Sequence, residues 1–264
     1  MMQKAGIDPI GAKEFIMPIP LEICSFNLAS ALIAQEAGAQ RVELCASAGE
    51  GGTTPSPGVI RMARERLRIA LFAIIRPRGG DFLYTDEEFR VMLKDVEYCK
   101  QVGCNGVVIG LLRADGGVDK QRCARLVELA YPLGVTFHRA FDWAANPFEA
   151  MEDIINIGCE RILTSGQRPT ATEGTELINE LVREADDRII IMPGAGVRSS
   201  NITELAEKTG AREFHTSART QQASGMEFVN RAMGEDQPLV MADGKEIQTI
   251  IERLAVVSAN RSKE

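Results

Sequence analysis

The 264-residue sequence predicts an α/β fold, a single (β/α)8 barrel of the TIM type, on three observations. Eight short apolar runs alternate with helical hydrophobic periods. A glycine followed by a small residue separates helix from run at Gly38-Ala39, Gly103-Cys104, Gly158-Cys159 and Gly210-Ala211, where left-handed glycine can end a helix. Several runs also carry polar groups at every second position. A buried open sheet excludes such rungs, whereas a barrel interior that opens into a site accommodates them.

The elements follow in order. Met1 to Pro20 contains Lys4, Asp8, Lys13 and Glu14 and no continuous apolar stretch, so it reads as a mobile leader or a short strand over the barrel bottom rather than a secretory signal. Strands are expected at Leu21–Ser25, Arg41–Ala46 and Ala70–Arg76. Thr85 and Glu88 form a capping box ahead of Phe89, Met92, Leu93 and Val96, a helical period. The fourth strand is Gly106–Leu112, followed by a helix carrying Cys123, Leu126, Val127 and Ala130. After Gly134–Arg139, Asn146 and Pro147 supply a cap and a first-turn proline for the helix bearing Met151, Ile154 and Ile155. Arg161–Ser165, Arg188–Gly194 and Glu213–Ser217 complete the eight strands. An irregular extension, 220–244, is too long for a simple barrel loop and is expected to cover a face or to join a second copy in a homo-oligomer, most simply a dimer. Ile247, Ile250, Ile251 and Leu254 mark the last helix, so residues 1–264 read as one domain.

Hydrophobic content of 45% allows a substantial core. A net charge of −7 argues against a nucleic-acid partner, and no apolar stretch is long enough to cross a bilayer. Six cysteines in a chain with no export signal imply reduced thiols and a cytoplasmic location. There is no Cys-x-x-Cys, and Cys99, Cys104, Cys123 and Cys159 read as small buried fillers.

The strand ends carry the chemistry. Glu22-x-Cys24 and Glu43-x-Cys45 fall on adjacent strands, and alternation puts each Glu and its Cys on one face. If that face is inward, two thiols stand near the mouth above two carboxylates, a donor set suited to a soft ion such as Cu(I). Barrel stagger could equally set the sulfurs apart, and the sequence leaves both open. A second candidate is an anion cradle, with Gly194 and Gly196 after the seventh strand and Ser217 and Arg219 after the eighth, where barrels frequently hold phosphate. Arg76, Arg78, Arg139, Arg168 and Arg219 all follow strands and would serve a small anionic metabolite, unless they pair internally with Glu22, Glu43, Asp81 or Asp142. His138, Glu43 and Glu22 are the acid/base candidates if the chain is an enzyme; His138 and His215 read equally well as structural histidines. No lysine lies in a strand, which argues against a Schiff-base aldolase, and no dinucleotide glycine fingerprint follows a strand.

The strings Leu21-Glu22-Ile23-Cys24, Arg41-Val42-Glu43-Leu44-Cys45, Gly51-Gly52-Thr53-Thr54-Pro55-Ser56, Ile75-Arg76-Pro77-Arg78-Gly79-Gly80-Asp81, Thr136-Phe137-His138-Arg139-Ala140-Phe141-Asp142, Ile162-Leu163-Thr164-Ser165-Gly166 and Glu213-Phe214-His215-Thr216-Ser217-Ala218-Arg219 resemble the copper homeostasis family CutC. The resemblance implies a cytoplasmic, oligomeric β/α barrel with a role in copper handling, and Cu(I) at two cysteines matching Cys24 and Cys45. Ala195, where a third glycine is usual, and Trp143, where a smaller apolar residue is common, depart from that pattern.

Overall fold

Every one of the eight apolar runs is a strand in the computed structural model, which describes residues 18–228, 230–233 and 238–262. The strands are β1 (Leu21–Ser25), β2 (Arg41–Leu44), β3 (Ala70–Ile74), β4 (Gly106–Ile109), β5 (Gly134–Phe137), β6 (Arg161–Thr164), β7 (Ile190–Pro193) and β8 (Phe214–Thr216). All their ladders are parallel, in the order β7-β6-β5-β4-β3-β2-β1-β8. Between β7 and β8 the ring closes through side chains, with Thr216 Oγ1 donating to the Val197 carbonyl at 2.7 Å. The leader expected before Pro20 falls at residues 1–17 outside the described residues.

Among the described residues, eight α-helices return the chain outside the ring: α1 (Leu28–Glu36), α2 (Pro57–Arg66), α3 (Asp86–Val102), α4 (Lys120–Ala130), α5 (Pro147–Ile157), α6 (Thr175–Ala185), α7 (Ile202–Thr209) and α8 (Gly244–Arg261). Their ends form as the sequence dictates. Thr85 and Glu88 make the reciprocal capping box of α3, and Asn146 accepts from the Phe148 and Glu149 amides at the start of α5. Gly103, Gly158 and Gly210 end α3, α5 and α7 in the left-handed conformation, while Gly38 adopts it one residue past the α1 cap.

Strand alternation sorts the apolar side chains into two layers. Leu21, Ile23, Val42, Leu44, Leu71, Ala73, Val107 and Ile109 point outward and pack under the helices. The opposite parity fills the ring, and there the apolar cluster is small: Cys24, Cys45, Phe72, Ile74 and Val108. Inward-facing glycines make its space. A Cβ on Gly106 would lie 2.3 Å from the Phe72 ring, so this ring occupies the place a β4 side chain would take.

The extension after β8 contains an antiparallel ribbon, β9 (Arg219–Gln222) with β10 (Leu239–Ala242). It docks on the start of α1, where Asn27 Nδ2 donates to the Val240 carbonyl (2.8 Å) and the Ala242 amide to Ser30 Oγ (3.0 Å). Because α1 begins at the C-terminal end of β1, the ribbon lies against the rim of the barrel mouth.

Candidate functional site

Parity carries Glu22 and Cys24 of β1, with Arg41, Glu43 and Cys45 on and after β2, into the ring. Register decides whether the thiols meet. Cys24 pairs with Glu43, which sets Cys45 one rung higher, and the Cys45 amide continues the ladder to the Ser25 carbonyl (2.8 Å). The two sulfurs converge at 3.6 Å, both buried at the mouth end.

A charged column stands beneath them. His215 of β8 faces the same space, its Nδ1 2.7 Å from Glu22 Oε1 and its Nε2 3.7 Å from Glu43 Oε2. Arg41 binds the other Glu22 oxygen and also reaches Glu213 (2.5 Å) and the Met192 sulfur (3.3 Å). Arg161 completes the floor with a 2.9 Å bond to Glu213, and the Phe72 ring lies against both guanidiniums. Buried charges require such partners.

The neighbours set the protonation of the column. Burial pushes Glu22 up, but Arg41 and His215 outweigh it and hold the carboxyl at about 2. Burial pulls His215 down, yet its contacts with Cys24, Glu22 and Glu43 raise it to about 10. The Cys45 hydrogen bond, with help from His215, lowers Cys24 to about 6 against its burial. Glu43 and Cys45 are driven the other way, first by burial and then by the Cys24 thiolate. At neutral pH the column therefore holds a Cys24 thiolate beside a His215 imidazolium, with a protonated Cys45 donating to the thiolate.

Two overlapping donor sets result. One ligand atom from each of Cys24, Glu43 and Cys45 lies within 4.8 Å of the others, and the same holds for Glu22, Glu43 and His215. Since Glu22 occupies His215 Nδ1, Nε2 is the ring nitrogen turned toward Glu43, and it can hold an ion only after the imidazolium gives up its proton.

Most of the remaining candidates stand outside this column. Arg76 turns back into its own rim, donating to the carbonyls of Glu50 (2.7 Å), Gly52 (2.8 Å) and Gly80 (2.8 Å). Arg78 pairs with Asp81 and Glu88. Arg139 pairs with Asp142 (2.8 Å) and donates to Ser165 Oγ (2.8 Å). Asp142 is itself a buried tie between strand ends, accepting from Thr164 Oγ1, the Ser165 amide and hydroxyl, and the Gln167 amide. Gly194 gives its side-chain space to Leu163 and His215, and Gly196 turns the chain at φ +73° beside Thr170. Ser217 is half-buried, while Arg168 and Arg219 are exposed. His138 is buried at the end of β5.

Arg41, Glu213 and the partner of His215 are not among the residues that the strand-end motifs single out. The signal was present, because Arg41-x-Glu43-x-Cys45 and Glu213-x-His215-x-Ser217 put every one of these side chains on the parity of the thiols.

The chain matches the model of the CutC family over residues 19–220. It belongs to the CutC family. A CutC family protein of Chromobacterium violaceum is 57% identical over 81% of this chain and 87% of its own length. The human copper homeostasis protein cutC homolog is 46% identical over 81% of this chain and 78% of its own. Among solved structures, the copper homeostasis protein CutC of Streptococcus agalactiae superposes with a TM-score of 0.72 at 33% identity, covering 75% of this chain and 98% of its own. Phosphoribosylanthranilate isomerase of Thermotoga maritima, at 14% identity and a TM-score of 0.56, covers 90% of this chain and 99% of its own and shares the fold alone. The CutC match spans every strand of the ring and thus the whole column from Arg41 to the thiols.

Proposed function

We propose that this CutC protein handles copper in the cytoplasm by holding Cu(I) between Cys24 and Cys45. The observation that carries the reading is the 3.6 Å between two buried sulfurs at the barrel mouth, one of them already acidified. Thiolate is a soft donor and selects Cu(I) over hard cations. With metal–thiolate bonds of about 2.3 Å, the value for zinc, the separation corresponds to a bent S–metal–S angle of roughly 100°. That bend leaves one side open to Glu43. Binding displaces the Cys45 proton, and the His215 imidazolium offsets the charge of the two thiolates. Six free cysteines, two of them this close and unbridged, suit a reducing compartment. No helix of the described residues is long and apolar enough to cross a membrane. For a homo-oligomer, the supporting feature is the segment after β8, which exposes Met226, Phe228, Met233 and Leu239.

The test is an anaerobic Cu(I) titration against a chromophoric chelator, with Zn2+ as competitor. One Cu(I) per chain is expected, resistant to Zn2+ and lost in Cys24→Ala/Cys45→Ala. Equal affinity in the double variant, or displacement of Cu(I) by Zn2+, contradicts the reading.

A further inference from the structure

A second corner of the mouth, away from the thiols, is built around an unbalanced charge. Arg76 is 5% exposed and, among the described residues, makes no ion pair; its two Nη groups bind only carbonyls. A buried cation without a counterion is costly to keep. Its Nε has no partner either.

The neighbouring strands repeat this deficit. Ile74 pairs with Val108 and Ile109 with Phe137, so Arg76, Gly110 and His138 stand on one rung. Gly110 has no side chain, and the His138 ring leans into the gap: a Cβ there would lie 2.3 Å from Cε1 and Nδ1. Nδ1 accepts from the Ala140 amide at 3.1 Å, which leaves the ring proton on Nε2. Nε2, like Arg76 Nε, is buried without a partner, as are the hydroxyls of Tyr84 and Thr136 nearby. Each such group carries the desolvation penalty of an unmade hydrogen bond. Burial and the Arg76 charge hold His138 down at about 3, so it stays a neutral donor.

One side chain covers both donors. The Phe82 ring lies 5.1 Å from the Arg76 guanidinium and 5.1 Å from the His138 ring. Phe82 also lines an open cleft of about 580 Å3 with Leu83, Leu112 and Trp143, and Asp81 and Arg113 stand at the same cleft. That volume suits a small molecule, and these four walls are apolar.

We propose that this corner binds a small carboxylate with an apolar body. The carboxylate takes the Arg76 Nε–H and His138 Nε2–H, the body lies in the cleft against Trp143, and Phe82 swings aside to admit it. Two N–H donors and one positive charge match a carboxylate's two oxygens and single charge. A phosphate dianion would bring twice the charge to the same pair, beside an apolar cleft. The site shares no residue with the copper reading and stands or falls without it.

Trp143 is the sole tryptophan, which makes its emission a direct reporter of the cleft. The protein is titrated with benzoate, benzamide and inorganic phosphate, and calorimetry confirms each binding curve. Saturable binding of benzoate is expected, with benzamide and phosphate weaker by about tenfold or more, since a hydrogen bond to a charged group is at stake. His138→Phe is expected to weaken benzoate by a similar factor, and Phe82→Ala to speed its association several-fold. Equal binding of benzoate and benzamide overturns the proposal, as does tighter binding of phosphate. No saturation by a natively folded protein means that ordered water alone satisfies the donors, and this also overturns it. The three-ligand comparison uses the unaltered chain, so the test survives if His138→Phe fails to fold.

Discussion

His215 and Glu22, 193 residues apart, meet inside the ring with Nδ1 2.7 Å from Oε1, and this contact couples the thiol pair to the charged floor below it. On one side Glu22 is held by Arg41; on the other His215 supports the Cys24 thiolate.

The first prediction concerns metal-free stability against pH. An unfolded histidine loses its proton near 6.5, whereas folded His215 keeps its own to about 10; across that interval the native state binds the extra proton, and stability falls as pH rises. Cys24 acts oppositely. Its folded thiol ionises at about 6 and the unfolded one near 9, so its contribution grows over that interval and is lost as pH falls through 6. The Cys24 slope opposes that of His215 between about 6.5 and 9, while Glu43, held protonated by burial, adds to the decline; above 9 the Cys24 offset ends and Cys45, also held protonated by burial, joins the loss. Urea denaturation is expected to give a shallow dependence up to about 9 followed by a steeper alkaline loss. In Cys24→Ala the offset is gone and the steeper decline begins near 6.5.

Arg41 is expected to be the costliest charge to remove. Arg41→Met strips Glu22 and Glu213 of their shared cation, and breaking a buried ion pair on one side typically costs about 3–5 kcal/mol. Adding Glu22→Gln should restore part of the loss, because one orphaned charge goes with it. Urea denaturation of the two variants checks both signs.

Gly194→Ala separates packing from anion binding. The new methyl would stand 2.5 Å from Leu163 Cδ1 and 3.2 Å from His215 Cδ2, an overpacking worth about 1–3 kcal/mol. Displacing His215 should also raise the Cys24 thiol toward its ordinary range. Thiolate absorbance followed against pH, with Cys24→Ala as the blank, reads that shift.

Much of this architecture is legible in the chain. Period-2 polarity in Glu22-x-Cys24 and Glu43-x-Cys45 gives both the ring and the inward face, and the glycine stops mark where the helices end. Convergence of the sulfurs is not legible, because it depends on the one-rung offset between β1 and β2, which no local pattern encodes. The arginines show the same limit. Their positions after strands are plain, but only the folded loops reveal that Arg76 is clasped by carbonyls and Arg139 by Asp142. The ribbon of β9 and β10 hides for another reason: Arg219-Thr220-Gln221-Gln222 is exposed at every residue and carries no apolar alternation.

The most direct measurement on the thiol pair is X-ray absorption at the copper edge of anaerobically loaded protein. Two sulfur ligands are expected, with at most one or two lighter oxygen scatterers from Glu43, and the sulfur signal should vanish in Cys24→Ala/Cys45→Ala. A copper shell of nitrogen and oxygen alone, or one that keeps its sulfur in that double variant, would contradict the assignment of Cu(I) to Cys24 and Cys45.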